Sequence, residues 1–297
     1  MTLFESVARW IDLRAVNLAP STVAGYKRLL RLYVQTSPAG RKPLDALDEI
    51  DLVELLRPLI EAGYTRQAQL LQTLVGAVLR FHVKHGTIPR NPMDGVDRVK
   101  HTSRETAWLT VEQARTLLDT AREAEDPLFL AWLIMLCCGL RRGEMLALEW
   151  TDFDFQRGLL HIQRQQITVD GQTLITKPKS AAAIRDICLD EELLAVLRLH
   201  AKAGGRIIDV SAIGLADGLD RALIRAGLPR ITLHGMRHTM AATAAGGGVP
   251  VKVLQSIMGH AHYQTTADIY EHVNDQPKRE AAKIITRGLI PTRLEIA

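Results

Sequence analysis

The chain has 297 residues, 47% hydrophobic and 24% charged, which excludes a disordered chain, a collagen-like repeat and a disulfide scaffold and leaves room for two hydrophobic cores. The formal net charge is +4. Residues 1–100 carry 14 Lys/Arg against 10 Asp/Glu while the remainder is balanced, so the first third is the candidate for meeting a polyanion. No apolar run reaches the roughly 18 residues of a membrane span. Glu5, Arg9, Asp12 and Arg14 are unlike a secretory signal. Cys137, Cys138 and Cys188 have no metal-ligand spacing and fit a reduced, cytoplasmic protein.

In chain order, residues 4–13 form an amphipathic helix with Phe4, Val7, Ala8 and Ile11 on one face. Pro20-Ser21-Thr22 opens a second helix, with Ser21 or Thr22 as cap and Tyr26, Leu29, Leu30 and Tyr33 as its apolar stripe. A third helix is expected over 52–62. A fourth is expected over 65–85, with Leu70, Leu71, Leu74, Val78 and Phe81 inward, ended by Gly86, Pro89, Asn91 and Pro92. The polar stretch 96–106 reads as a linker, which predicts a helical domain over 1–95 and a second domain over 107–297.

Thr110 caps a helix over 111–123, with Glu112 and Gln113 in its first turn, and the apolar stretch 127–139 reads as buried on all sides. From 159 to 189 the pattern alternates through Leu160, Ile162, Ile167, Val169 and Leu174 around an Asp170-Gly171 turn, which predicts a small antiparallel sheet. Helices resume at 190–203, 214–226, 234–245, 251–258, 265–272 and 278–288. The fold class is mainly α with a small antiparallel β-insert. Gly246-Gly247-Gly248 lacks phosphate-loop spacing and reads as a turn between helices.

Four clusters can carry chemistry: Gly139-Leu140-Arg141-Arg142-Gly143-Glu144, Pro178-Lys179-Ser180, His234-Gly235-Met236-Arg237-His238, and Gly259-His260 followed by Tyr270. Each has a plain reading alone: a solvated helix end, a surface lysine, a helix-face histidine pair, a core tyrosine. Together they match attack by a tyrosine on a phosphodiester. Guanidinium groups bind the negative charge that spreads over the non-bridging oxygens and stay protonated. The phenol is a covalent nucleophile, a lysine can protonate the leaving alkoxide, and a histidine can take the phenolic proton or bind the phosphoryl group.

Gly-Leu-Arg-x-x-Glu, then Pro-Lys-Ser with Arg185 downstream, then His-x-x-Arg-His, then Gly-His-x₅-Thr-x₃-Tyr resemble the tyrosine recombinase (phage integrase) family over residues 105–285. Residues 1–95 resemble its helical core-DNA-binding domain. The resemblance implies a two-domain DNA clamp. It implies that Tyr270 forms a 3′-phosphotyrosine, that Arg141, Arg237 and His260 bind the scissile phosphate, and that Lys179 is the general acid. His234 would be base or phosphate ligand, Glu144 the supporting carboxylate, and His238 a motif residue outside the catalytic set. Lys177 is the alternative general acid, but Lys179 keeps Arg185 and Leu189 in register without an insertion. Ala181-Ala182-Ala183-Ile184 departs from the family, which is more basic there.

The resemblance further implies no cofactor and no metal, double-stranded DNA core sites as partner, and a homotetramer on DNA that exchanges strands through a Holliday junction. The amphipathic tail over 277–289 would pack on its own domain or dock on a neighbouring protomer. The chain starts almost directly with core-binding helices, so no arm-site domain is expected and directionality would come from elsewhere, such as a partner. Integration or excision of a phage or mobile element is the expected task, with resolution of chromosome or plasmid dimers as the alternative. Three rivals stand beside it: a zinc hydrolase built on His234-x-x-x-His238, which lacks the Glu such a motif needs after its first histidine; a DNA-binding protein with an inactive site; and a type IB topoisomerase or telomere resolvase using the same chemistry.

Overall fold

The computed structural model describes residues 1–101, 106–169, 171–178 and 180–259. The helices expected over 265–272 and 278–288 lie outside these residues. The chain divides into two compact units, Met1–Arg104 with Thr168–Thr173, and Glu105–Ile167 with Leu174–Ala297.

The described part of the first unit is built on α1 (Leu3–Arg14), α2 (Pro20–Leu29), α3 (Pro38–Arg41), α4 (Glu49–Glu61) and α5 (Thr65–Lys84). Thr2 and Glu5 cap α1 reciprocally, and Asp48 and Asp51 do the same for α4, so the first orphan N–H groups of both helices find acceptors. Leu3, Val7 and Ile11 of α1 are fully buried against a cluster that includes Leu52, Leu56, Leu71, Leu74 and Val78. The four-residue α3 carries no periodic signal and was not foreseen.

Three details differ from the sequence analysis. The cap of α2 is Ala19, whose methyl side chain can accept no hydrogen bond; Pro20 takes the first helical position, where its missing N–H costs nothing, and Ser21 and Thr22 fall inside the helix. After Leu29 the backbone widens into a π-turn over Leu30–Val34, which swings the buried face onto Leu29, Leu30 and Val34 and leaves Tyr26 and Tyr33 half-buried. In α5 the inward line is Ala68, Leu71, Val75, Val78, Leu79 and His82, whereas Leu70 is exposed and Phe81 half-buried.

His82 is a polar residue in this apolar setting. Its Nε2 lies 2.5 Å from Ser6 Oγ of α1, and its buried Nδ1 has no hydrogen-bond partner among the described residues. Burial first, then the neighbouring His85 and Arg9, holds its pKa below the usual histidine value of 6.5. The unfolded chain therefore binds the proton that the native state refuses, and stability falls as pH drops below 6.5 toward the lower native pKa. The protection of α1 and α5 amides, relative to intrinsic exchange at each pH, should fall as pH drops from about 7.5 to about 5.5, and His82→Gln should flatten that dependence. An unchanged pH dependence in the variant would remove His82 as the cause.

The described part of the second unit contains α6 (Val111–Glu123), α7 (Phe129–Cys138), α8 (Arg142–Ala147), β1 (Phe153–Asp154), β2 (Leu159–Ile162), β3 (Gln165–Val169) and β4 (Gln172–Thr176) apart from their Thr168–Thr173 stretch, β5 (Arg185–Cys188), α9 (Glu191–His200), α10 (Ala212–Arg225), α11 (Leu233–Gly246) and α12 (Val251–Met258). Thr110 and Gln113 cap α6 reciprocally. Trp132, Ile134, Met135, Leu117, Leu215, Leu219 and Met236 form the centre of one core, in which α11 packs on α7. α7 is buried around most of its circumference, but Cys137 is exposed on one side. No helix among the described residues is long and apolar enough to cross a membrane.

The expected single sheet is two. β1, β2 and β5 form an antiparallel sheet with Leu160 opposite Ile187, and β3 and β4 form a separate hairpin. Leu160, Ile162 and Ile187 point into the core. The hairpin's alternation does not mark a buried face: Leu174 is exposed, Ile167 and Val169 are half-buried, and the buried position is Gln166. A two-stranded ribbon has no layer to cover both of its faces, so period-2 apolar residues stay at the surface there.

Candidate active site

Gly139 closes α7 in the left-handed conformation, φ +62°, which glycine adopts without strain. The chain then turns so that Arg141 becomes the cap residue of α8. Its backbone N–H donates to Glu144 Oε2 at 2.9 Å, and its Nη1 donates to Glu144 Oε1 at 2.7 Å. The Glu144 side chain is 1% exposed and that of Arg141 35%. One buried carboxylate thus fixes both the backbone and the head group of a part-exposed arginine.

Glu144 has a second cation, which the sequence reading used as a register mark without giving it a role. Arg185 opens β5 and donates from Nη1 and Nη2 to the two Glu144 oxygens, both at 3.0 Å. It also donates from Nε to Ile257 O at 2.6 Å and from Nη1 to Ala183 O at 3.1 Å. The signal for it lies in the alternation of β5: Arg185 and Ile187 are buried while Asp186 and Cys188 are exposed. An arginine on the inward face of a strand needs a buried anion. Burial would raise the Glu144 pKa, but the Arg185 hydrogen bonds and charge, then Arg141, hold it below the usual carboxylate value.

Arg237 sits in the second turn of α11 and is 1% exposed. It donates from Nη1 to Gly139 O at 2.7 Å and from Nη2 to Met258 O at 2.5 Å. Its Nε is buried with no hydrogen-bond partner among the described residues. Burial, then the charge of Arg141, presses its pKa down to about 9, which leaves it protonated at neutral pH. Arg141 Nη2 donates to Gly259 O at 2.7 Å. Three arginines therefore grip three consecutive carbonyls at the end of α12, those of Ile257, Met258 and Gly259. That end of the helix carries the negative pole of its dipole.

His234 and His238, one turn apart on α11, meet edge to face with 3.2 Å between their Nε2 atoms. One donates and the other accepts, so at least one is neutral. Desolvation, then Arg237 and Arg141, lowers the His234 pKa; desolvation, then His234 and Arg237, lowers that of His238 to about 4. Both are neutral at pH 7. Gly235 between them counts against the zinc reading, because a side chain there would meet Ala107 O at 2.5 Å.

Of the foreseen site residues, Arg141, Glu144, His234 and Arg237 come together, and Arg185 and His238 join them. Lys179, His260 and Tyr270 lie outside the described residues. Lys177 is exposed, and its carbonyl accepts from Gln165 Nε2 at 3.4 Å.

Glu144→Ala leaves two guanidinium groups facing an empty position. Breaking one side of a buried ion pair typically costs about 3–5 kcal/mol. Urea unfolding of the variant should show a midpoint lowered accordingly, and a midpoint within 0.5 kcal/mol-equivalents of the parent, on the order of surface-substitution effects, would contradict the arrangement.

The chain matches the model of the phage integrase family over residues 107–277 and that of the phage integrase central domain over residues 4–98. It is 25% identical to a tyrosine recombinase XerC-like protein of Caldanaerobacter subterraneus subsp. tengcongensis over 96% of this chain and 83% of that one. It is 22% identical to the ICEBs1 integrase of Bacillus subtilis over 78% of this chain and 68% of that one. The Tn1549 transposon integrase in complex with transposon right end DNA shares the fold with a TM-score of 0.82 at 23% identity, covering 96% of this chain and all of that one. A lambda integrase tetramer bound to a Holliday junction does so at 0.70 and 18% identity, covering all of this chain and 81% of that one. The chain belongs to the phage integrase family, the tyrosine recombinases, enzymes that cleave and rejoin DNA.

Proposed function

We propose that this recombinase integrates or excises a phage or mobile element through a 3′-phosphotyrosine at Tyr270. The observation that carries the reading is the pair of arginines with unspent donors. Of the five N–H groups each guanidinium owns, Arg141 and Arg237 use two each on described residues. The rest remain for the non-bridging oxygens of a phosphodiester, on side chains whose positions are already fixed.

In the forward step the Tyr270 oxygen bonds to phosphorus and the 5′-oxygen leaves, taking a proton from Lys179. The phenolic proton passes to His234, whose neutral form at pH 7 can accept it. The ester bond is conserved, so rejoining is the same step reversed with a new 5′-hydroxyl, and no nucleotide is consumed. The duplex is held by both units, the first supplying its basic excess. Four protomers assemble on two core sites, as the lambda integrase tetramer does on a Holliday junction, with the segment over 277–289 joining neighbours and a separate factor setting direction. The enzyme acts in the cytoplasm of a bacterial or phage-infected cell.

Resolution of chromosome or plasmid dimers is the second reading. One experiment separates them. The protein, without metal or ATP, is mixed with a randomised duplex pool carrying 5′-bridging phosphorothiolates, and denatured. DNA that stays attached is sequenced and the attached residue mapped by peptide mass. Adducts at Tyr270 enriched for an inverted repeat at an element's ends support integration; a repeat at one chromosomal locus supports resolution. Site binding without any adduct would leave a DNA-binding protein with an inactive site.

A further inference from the structure

We infer that Arg185 is a positioning residue for strand cleavage: it locks Glu144, and through it Arg141, against the carbonyl end of α12, and does not itself bind the phosphate. This inference rests on the site proposed above.

The three buried or part-buried arginines differ in how their donors are spent. Arg185 commits four of its five N–H groups: two to Glu144, one to Ala183 O and one to Ile257 O. Its side chain is 5% exposed, against 35% for Arg141. An arginine so committed has little left for a substrate. What it holds is informative. Glu144 aims Arg141. Ala183 ends the segment that follows Lys179 in sequence. Ile257 lies in the last turn of α12, three residues before His260. Among the described residues of the site, Arg185 is therefore the side chain that bonds to three separate segments, α8, the stretch before β5 and the end of α12.

Gly259 shows how tightly these parts are pressed together. It has φ +61°, and a Cβ there would lie 2.8 Å from Ala182 O and 3.0 Å from Arg185 Cδ. The end of α12 thus sits directly on the start of β5. Lysine in place of Arg185 keeps the charge opposite Glu144, but it is a point donor without the planar fork and cannot span both carboxylate oxygens and the Ile257 carbonyl. Arg141 then loses its fixed aim. A misplacement of about 1 Å remote from the chemistry can cost on the order of 10²-fold in rate.

The test uses the full chain and a duplex with the recovered site. Arg185→Lys is compared with the parent for site affinity and for single-turnover cleavage of two substrates, one with an ordinary phosphodiester and one with a 5′-bridging phosphorothiolate. Sulfur leaves without needing a proton, so the second substrate bypasses Lys179. The expected result is affinity within about twofold and cleavage slowed about 100-fold on both substrates. Parent-like cleavage of the ordinary substrate overturns the inference. So does recovery on the phosphorothiolate, which would place the defect at the lysine. Glu144→Gln with Arg185→Met removes both buried charges and guards against a folding failure. It should bind the site and cleave slowly, and parent-like cleavage by it again overturns the inference. Arg237→Ala run in parallel separates the two layers: if that variant cleaves normally, the site assignment itself fails, whatever Arg185→Lys does.

Discussion

Arg237→Ala is expected to bind its DNA site within a few-fold of the parent and to cleave it at least ~10³-fold more slowly. Protein–DNA affinity comes largely from many phosphate contacts, and one buried arginine adds little to that sum. Cleavage is different. Arg237 presents donors in a water-excluded position, held by Gly139 O and Met258 O before substrate arrives. Loss of one such preorganised donor costs about 10²–10³ in rate, and Arg237 supplies more than one. Arg237→Lys restores charge without the fork and should recover little of the loss. Gel-shift titration and single-turnover adduct formation measure the two quantities. Normal adduct formation in Arg237→Ala would remove Arg237 from the phosphate site.

Tyr270→Phe should bind the site like the parent and form no covalent adduct, because on the proposed mechanism the substitution deletes the attacking oxygen and little else. Loss of a covalent nucleophile costs on the order of 10⁶-fold. The sequence has five tyrosines. Tyr26 and Tyr33 are half-buried in the first unit and Tyr64 is a helix cap there. Tyr263, seven residues before Tyr270, is the fitting control, and Tyr263→Phe should retain adducts. Adducts in Tyr270→Phe that vanish in Tyr263→Phe would move the nucleophile.

Local signals were readable in the sequence and pairings at a distance were not. Thr110 and Gln113 announce α6, and the span of α12 over 251–258 follows from its apolar spacing before Gly259. The hydroxyls of Ser21 and Thr22 look like caps, but Pro20 suits the first helical position and so moves the cap upstream to Ala19. The π-turn after Leu29 adds a residue to one turn and shifts the buried face, which a fixed 3.6 period cannot register. Within the site, the order of motifs pointed to Arg141, Glu144, His234 and Arg237. The partnership of Arg185 with Glu144 spans 41 residues, and the grip on Ile257, Met258 and Gly259 uses backbone oxygens that every residue owns. Neither leaves a mark in residue types.

Among the described residues, two guanidinium groups, Arg141 and Arg185, share the buried carboxylate of Glu144, and Arg237 beside them bonds only to carbonyls. This corner of the fold carries more positive than negative charge, and on the proposed function a bound phosphodiester would neutralise the excess. Binding and folding are therefore linked. Duplex carrying the site should raise the melting temperature of the second unit by mass action, and excess inorganic phosphate should reproduce part of that rise. The free enzyme keeps a less stable state than its core packing alone would give, and the substrate completes the structure that cuts it.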